Sequence, residues 1–182
     1  MKRHRAIKLY AIFMNVGIEF GLTKLANPND DDVLKINNLG YALIRALNNK
    51  GVKMVSFNKS TIPDEKLAKE VLMVNVNATE LDLLLSIDFN KNDTCVEGAY
   101  AYAVNEEDKL IAENILSNLS SIFIDNGVRS GKGNQIFNCT NCRTIILTPY
   151  TLDSDTDIEK LNNVGIESVA ENIAMSILSC IK

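Results

Sequence analysis

Apolar and polar positions change period along the chain, and each change marks an element. The apolar run "KLYAIFM" predicts a strand over 8–14, and a polar stretch rich in Asn and Asp follows at 22–32. Val33, Ile36, Leu39, Leu43, Ile44 and Leu47 recur at helical steps, so a helix is expected over 32–49. Asp30 to Asp32 supply its acidic first turn and Gly51 its stop. "VKMVSF" (52–57) reads as a second strand. Pro63 suits the first turn of a helix over 63–77. "LDLLLSID" (81–88) reads as a third strand and "EGAYAYAV" (97–104) as a fourth. Ile111, Ile115, Leu119 and Ile122 share one face of a helix expected over 105–125. Gly127, Gly131 and Gly133 mark a loop, and "NQIF" and "RTIILT" read as short strands. The tail, 164–181, again carries helical spacing through Ile166, Val169, Ala170, Ile173, Ile177 and Ile181.

Strands alternating with amphipathic helices predict an α/β fold: a single layered domain over 1–182, with a mostly parallel mixed sheet of about six strands flanked by helices. Within it, residues 1–7 form a basic N-terminal tail. Such sheets bind ligands beyond the carboxyl ends of their strands. That rule puts Asn15 to Glu19, Asp88 to Asn90 and Thr148 to Tyr150 along one rim. "LLLSIDFN" (83–90) is the pointed case, a core strand that runs out on an acid, Asp88.

Composition narrows the partners. With 46% hydrophobic and 23% charged residues the chain is globular, and a net charge of -4 without a long basic run argues against nucleic acid. No apolar stretch is long enough for a membrane span. The opening "MKRHRAIKLYAIFMNVGIEFG" has basic residues before an apolar run, but Lys8, Asn15 and Glu19 interrupt it and no clean cleavage site follows. No clear signal peptide is therefore expected, and the chain is cytoplasmic at synthesis.

Several small motifs fail their chemical tests. Cys139 and Cys142 form a single CxxC, short of the four ligands of a structural zinc site, and read as loop thiols. "GVRSGKG" lacks P-loop spacing, and "NPNDDD" lacks the spaced acids of a calcium loop. His4, in the basic tail, is the only imidazole.

The order of elements resembles the zinc-dependent N-acetylmuramoyl-L-alanine amidases of bacterial cell walls and phage endolysins, over about residues 8–181. "DLLLSIDFN" is similar to the family strand reading S-I-H-x-N, and "EGAYAYAV" to its G-x-E-V-Y strand. The stretch from "IFIDNGVRSGKG" to "RTIILTPYTLDSDTD" is similar to the segment ending at the catalytic Glu, and "VGIESVAENIAMSIL" to the closing helix. The resemblance implies a zinc ion held by His, Glu and His, with a further Glu for proton transfer. Carried onto this chain, the first His falls on Ile18 if Gly17 is the motif glycine, or near Asn15. The ligand Glu falls on Asp32, the second His on Asp88, and the catalytic Glu on Thr148. An Arg that precedes the third strand falls near Asn75.

These substitutions suggest a catalytically degenerate amidase-like protein, with no zinc, that binds a peptidoglycan fragment or a protein partner such as an active amidase. Asn90, Arg129 and Tyr150 are its candidate binding residues, and its place of action would be the cell wall. Two alternatives stay open. One is an active peptidoglycan hydrolase with an altered oxygen-ligand site at Asp32 and Asp88, helped by Asn15 or Glu19, which would suit Mg²⁺ or Ca²⁺. The other is an unrelated α/β ligand-binding or assembly protein. Homo-oligomerisation through the "AYAYAV" strand is equally open.

Overall fold

The computed structural model describes residues 14–20, 31–58, 64–89 and 96–180. Its strands are β1 (Asn15–Phe20), β2 (Lys53–Asn58), β3 (Leu83–Ile87), β4 (Ala99–Ala103), β5 (Asp125–Ser130) and β6 (Arg143–Thr148). Its helices are α1 (Asp31–Asn48), α2 (Glu65–Asn77), α3 (Glu106–Leu119), α4 (Gln135–Cys139), α5 (Asp155–Val164) and α6 (Ile166–Cys180). The strands form one sheet in the order β2-β1-β3-β6-β4-β5. β2, β1, β3 and β6 run parallel, whereas β4 is antiparallel to β6 and β5 runs with β4. The expected single α/β domain with a mostly parallel mixed sheet is the one observed.

Burial explains the run "LLLSI". All five residues of β3 are buried, because β3 lies inside the sheet with both faces covered. On the front face, Val16, Ile18, Phe20, Leu83, Leu85, Ile87, Ile145 and Leu147 share a core with α1, α3 and α6. On the back face, Leu84 packs with Leu72 and Val76 of α2, flanked by Phe57, Ile136 and Cys142. Each fully buried Leu or Ile contributes roughly 1.5–3 kcal/mol relative to its exposed state.

Polar side chains set the helix starts. Asp64 accepts the Leu67 N–H at 2.7 Å, Asn105 the Asp108 N–H at 2.8 Å, and Ser154 the Asp157 N–H at 3.1 Å. Each satisfies a backbone donor that the first helical turn leaves open. Asp108 is itself buried and accepts Arg143 Nε at 2.9 Å, which fastens the start of α3 to the start of β6.

Several expectations require correction. Among the described residues the first strand is Asn15–Phe20; of the strand expected over 8–14 only Met14 is described, and it lies outside that strand, while 8–13 lie outside the described residues. β1 is selected by pairing: all six of its residues align with β2 and four with β3. The third helix ends at Leu119, short of 125, and the expected glycine loop begins inside β5, where Gly127 sits at φ +75°. "NQIF" begins the short helix α4, capped by Asn134, and does not form a strand. Helix α5 was not expected at all.

Candidate functional site

The carboxyl ends of β1, β3 and β6 meet the amino ends of β4 and β5 at one rim of the sheet. Two registers fix what stands there. Glu19 lies beside Ser86, which lies beside Ile146, which lies opposite Tyr102. One step further, the Asp88 N–H donates to the Leu147 carbonyl at 2.9 Å, extending the ladder past the end of β3. Asp88 therefore falls level with Thr148, and Thr148 pairs with Tyr100. Residues two apart on a strand share a face, so Asp88, Thr148 and Tyr100 continue the back-face row of Glu19 and Ser86.

This corner of the sheet is polar and largely closed to solvent. Glu19 and Thr148 are buried, as is Ser86, whose hydroxyl donates to Glu19 Oε2. Asp88 is exposed, and its Oδ1 accepts the Phe89 N–H at 3.0 Å. Asp32, in the first turn of α1, is half-buried. It approaches Tyr150, whose phenol is pushed up from its ordinary pKa first by burial and then by the Asp32 charge. Tyr150 is completely buried; it stacks on Phe123 at 5.6 Å and meets Phe89 edge-on at 5.0 Å.

Loops at the rim are tied to one another. Asp157, fully buried in α5, accepts the Gly98 N–H at 2.7 Å and the Thr151 N–H at 3.0 Å through one oxygen. Thr151 Oγ1 donates to the Val96 carbonyl at 2.6 Å, and Asn126 Nδ2 donates to the Glu97 carbonyl at 2.6 Å. The chain leaving β6 and the chain entering β4 are thus held together beside Asp88.

The residues named from sequence are placed as follows. Asp32, Asp88 and Thr148 are all at the rim. Asn15 is at the far end of β1, where its N–H donates to Asp82 and its Nδ2 to the Glu80 carbonyl, each at 2.8 Å. Ile18 is buried inside β1 on the front face, so neither residue follows the first strand as the expected His position required. Arg129 is exposed on β5, with its guanidinium 4.0 Å from the centre of the Tyr100 ring. Tyr150 is in the core, and Asn90 lies outside the described residues. Sequence reasoning passed over Asp157, although Ser154 three residues earlier gives the capping pattern that marks it. The Glu19–Ser86 and Arg129–Tyr100 contacts had no sequence signal, because each joins separate strands.

No protein-family model matches this sequence, and no curated protein matches it. Solved structures do. The catalytic domain of the CD27L endolysin targeting Clostridia difficile superposes with a TM-score of 0.81 at 18% identity, over 91% of this chain and 97% of that one. The amidase Ami1 of Mycobacterium smegmatis gives 0.74 at 12% identity, over 94% and 98%. The CwlD amidase of Clostridioides difficile, solved in complex with the GerS lipoprotein, gives 0.67 at 13% identity, over 92% and 96%. The fold of this chain is that of the N-acetylmuramoyl-L-alanine amidases.

Proposed function

We propose that this chain is an amidase-fold protein of a bacterial or phage cell-wall system that has lost hydrolysis and binds a peptidoglycan fragment at the rim. The donor set carries this reading. A catalytic zinc needs three protein ligands, usually with imidazole among them, and an open position for water. The positions that the amidase resemblance assigns hold Asp32, Asp88 and the buried Thr148. With β1 ending at Phe20, a motif glycine after the strand is Gly21, and the position after it is Leu22. Among the described residues, no three His, Cys, Asp or Glu side chains come together as a metal site would require. The residues present do not fit zinc. A threonine hydroxyl has no basicity near neutral pH to replace the catalytic Glu.

What the rim retains supports binding. Asp88 offers an exposed acceptor, and the loops leaving β6 and entering β4 next to it are tied together, which lowers the ordering cost of binding there. A protein partner is the second form of this reading. The likeness to CwlD, an amidase solved with a lipoprotein bound, supports it. Among the described residues no helix is long and apolar enough to cross a membrane.

The test uses untagged protein incubated with zinc, desalted, and assayed for metal per chain, for dye release from labelled peptidoglycan, and for co-sedimentation with it. Co-sedimentation without dye release, and with negligible metal, is expected. About one metal per chain, lost in Asp88→Ala and accompanied by dye release, would show a working hydrolase with an altered site.

A further inference from the structure

Three arginines lie among the described residues, and they are not treated alike. Arg45 pairs with Glu167, and Arg143 pairs with Asp108 and Glu107. Among the described residues Arg129 has no carboxylate partner, and its guanidinium lies over the Tyr100 ring. That ring is only 4% exposed, so the guanidinium is seated on its outer face. Tyr102 meets Tyr100 edge-on at 5.7 Å and is half-buried next to it. The base on which Arg129 rests is therefore rigid, whereas the guanidinium itself is in solvent.

Stacking uses the flat face of a guanidinium and leaves its edge of N–H donors pointing outward. Holding the group flat reduces the side-chain entropy that a ligand must otherwise remove. Two features select the anion. A planar fork matches a planar two-oxygen group, which a carboxylate is. The chain carries a net charge of -4, so its long-range field opposes a polyanion, whereas a single carboxylate needs only the local contact.

We infer that Arg129, seated on Tyr100 at the β5 edge of the sheet, is a docking point for the carboxylate of a peptide ligand. Tyr100 pairs with Thr148, which is level with Asp88, so the Tyr100 backbone lies two strand spacings, about 10 Å, from Asp88, and Arg129 is one strand further out. The inference stands apart from the reading of the rim as a wall-binding site, because it concerns a carboxylate on any peptide.

The experiment follows the Arg129 Nε–H signal of the isotopically labelled full chain by NMR. The probes are acetyl-alanyl-alanine, the same peptide with its C-terminus amidated, and inorganic phosphate. The acid should shift the signal and the amide should not. Arg129→Met still covers the ring but carries no donors. It should melt at the same temperature and bind the acid at least about tenfold more weakly, as followed on neighbouring backbone signals. Arg129→Lys keeps the charge without the fork and should fall between the two. Equal shifts from acid and amide, no shift up to the solubility limit, or unchanged binding in Arg129→Met would overturn the inference. Tighter binding of phosphate than of the peptide would replace the carboxylate with a phosphate. None of these outcomes depends on metal content, peptidoglycan sedimentation or hydrolysis, so either proposal can fail without the other.

Discussion

Asp157 and Gly98 lie on separate segments of the chain, and one hydrogen bond of 2.7 Å joins the carboxylate of the first to the backbone N–H of the second. The same oxygen accepts the Thr151 N–H at 3.0 Å, and the Lys160 ammonium lies 3.9 Å from the other oxygen. Gly98 has φ +98°, and a Cβ there would stand 2.2 Å from the Ile124 carbonyl oxygen. The entry to β4 therefore depends on a residue without a side chain and on an acid from a helix far along the sequence. Asp157→Ala would orphan two buried N–H groups and should cost about 3 kcal/mol in urea unfolding. Asp157→Asn keeps one acceptor and should cost about half as much.

Gly40 makes a second close approach. A Cβ there would lie 2.4 Å from the Phe20 ring, which is fully buried. Helix propensity alone favours Ala over Gly by about 1 kcal/mol. Overpacking of a fixed ring costs about 1–3 kcal/mol, so Gly40→Ala should lower stability on balance. Denaturant midpoints of the variant and the parent would check the sign, and a rise in midpoint would mean that the ring moves freely.

Tyr150 keeps a hydroxyl in the core with no hydrogen-bond partner among the described residues. Its removal should not destabilise the fold, and Tyr150→Phe is expected to unfold at the same denaturant concentration or a higher one, by up to about 1 kcal/mol. The pH dependence has a definite sign. Burial and the Asp32 charge raise the folded pKa above the ordinary value, so the unfolded chain loses this proton first. The contribution is complete below about pH 10 and is lost as pH rises through the folded pKa. Stability of the parent should fall above about pH 10 more steeply than that of Tyr150→Phe.

Cys139 and Cys142 form the one CxxC but differ in environment. Cys139 is exposed, whereas Cys142 is half-buried and burial raises its pKa. The thiolate is the reactive form, so maleimide at neutral pH should label Cys139 before Cys142. Timed peptide mapping would check this, and equal rates would contradict the burial of Cys142. Asn77 braces the turn between them, donating to the Cys139 carbonyl at 2.7 Å and accepting the Asn141 N–H at 2.9 Å. Asn77→Ala should bring the two labelling rates closer together.

The sequence by itself determined the alternation of elements, and with it the layered α/β class. Strong periodic stretches carried that information: the stripe Val33, Ile36, Leu39 and Leu43 became the buried face of α1, and "LLLSI" became the central strand. The acid after β3 was also legible, since a core strand has to end where its apolar run ends. Tertiary structure decided what rests on pairing. β5, "DNGVRS", has no apolar period and exists because β4 offers it backbone partners. β1, "NVGIEF", mixes a polar start, a glycine and an acid, and is a strand because its residues align with β2 and β3. The same reason hid the Glu19–Ser86 bond, the Arg129–Tyr100 stack and the Asp157 tie. Periodicity reports which face a residue turns, but only the packed sheet decides which residue of another strand it meets there.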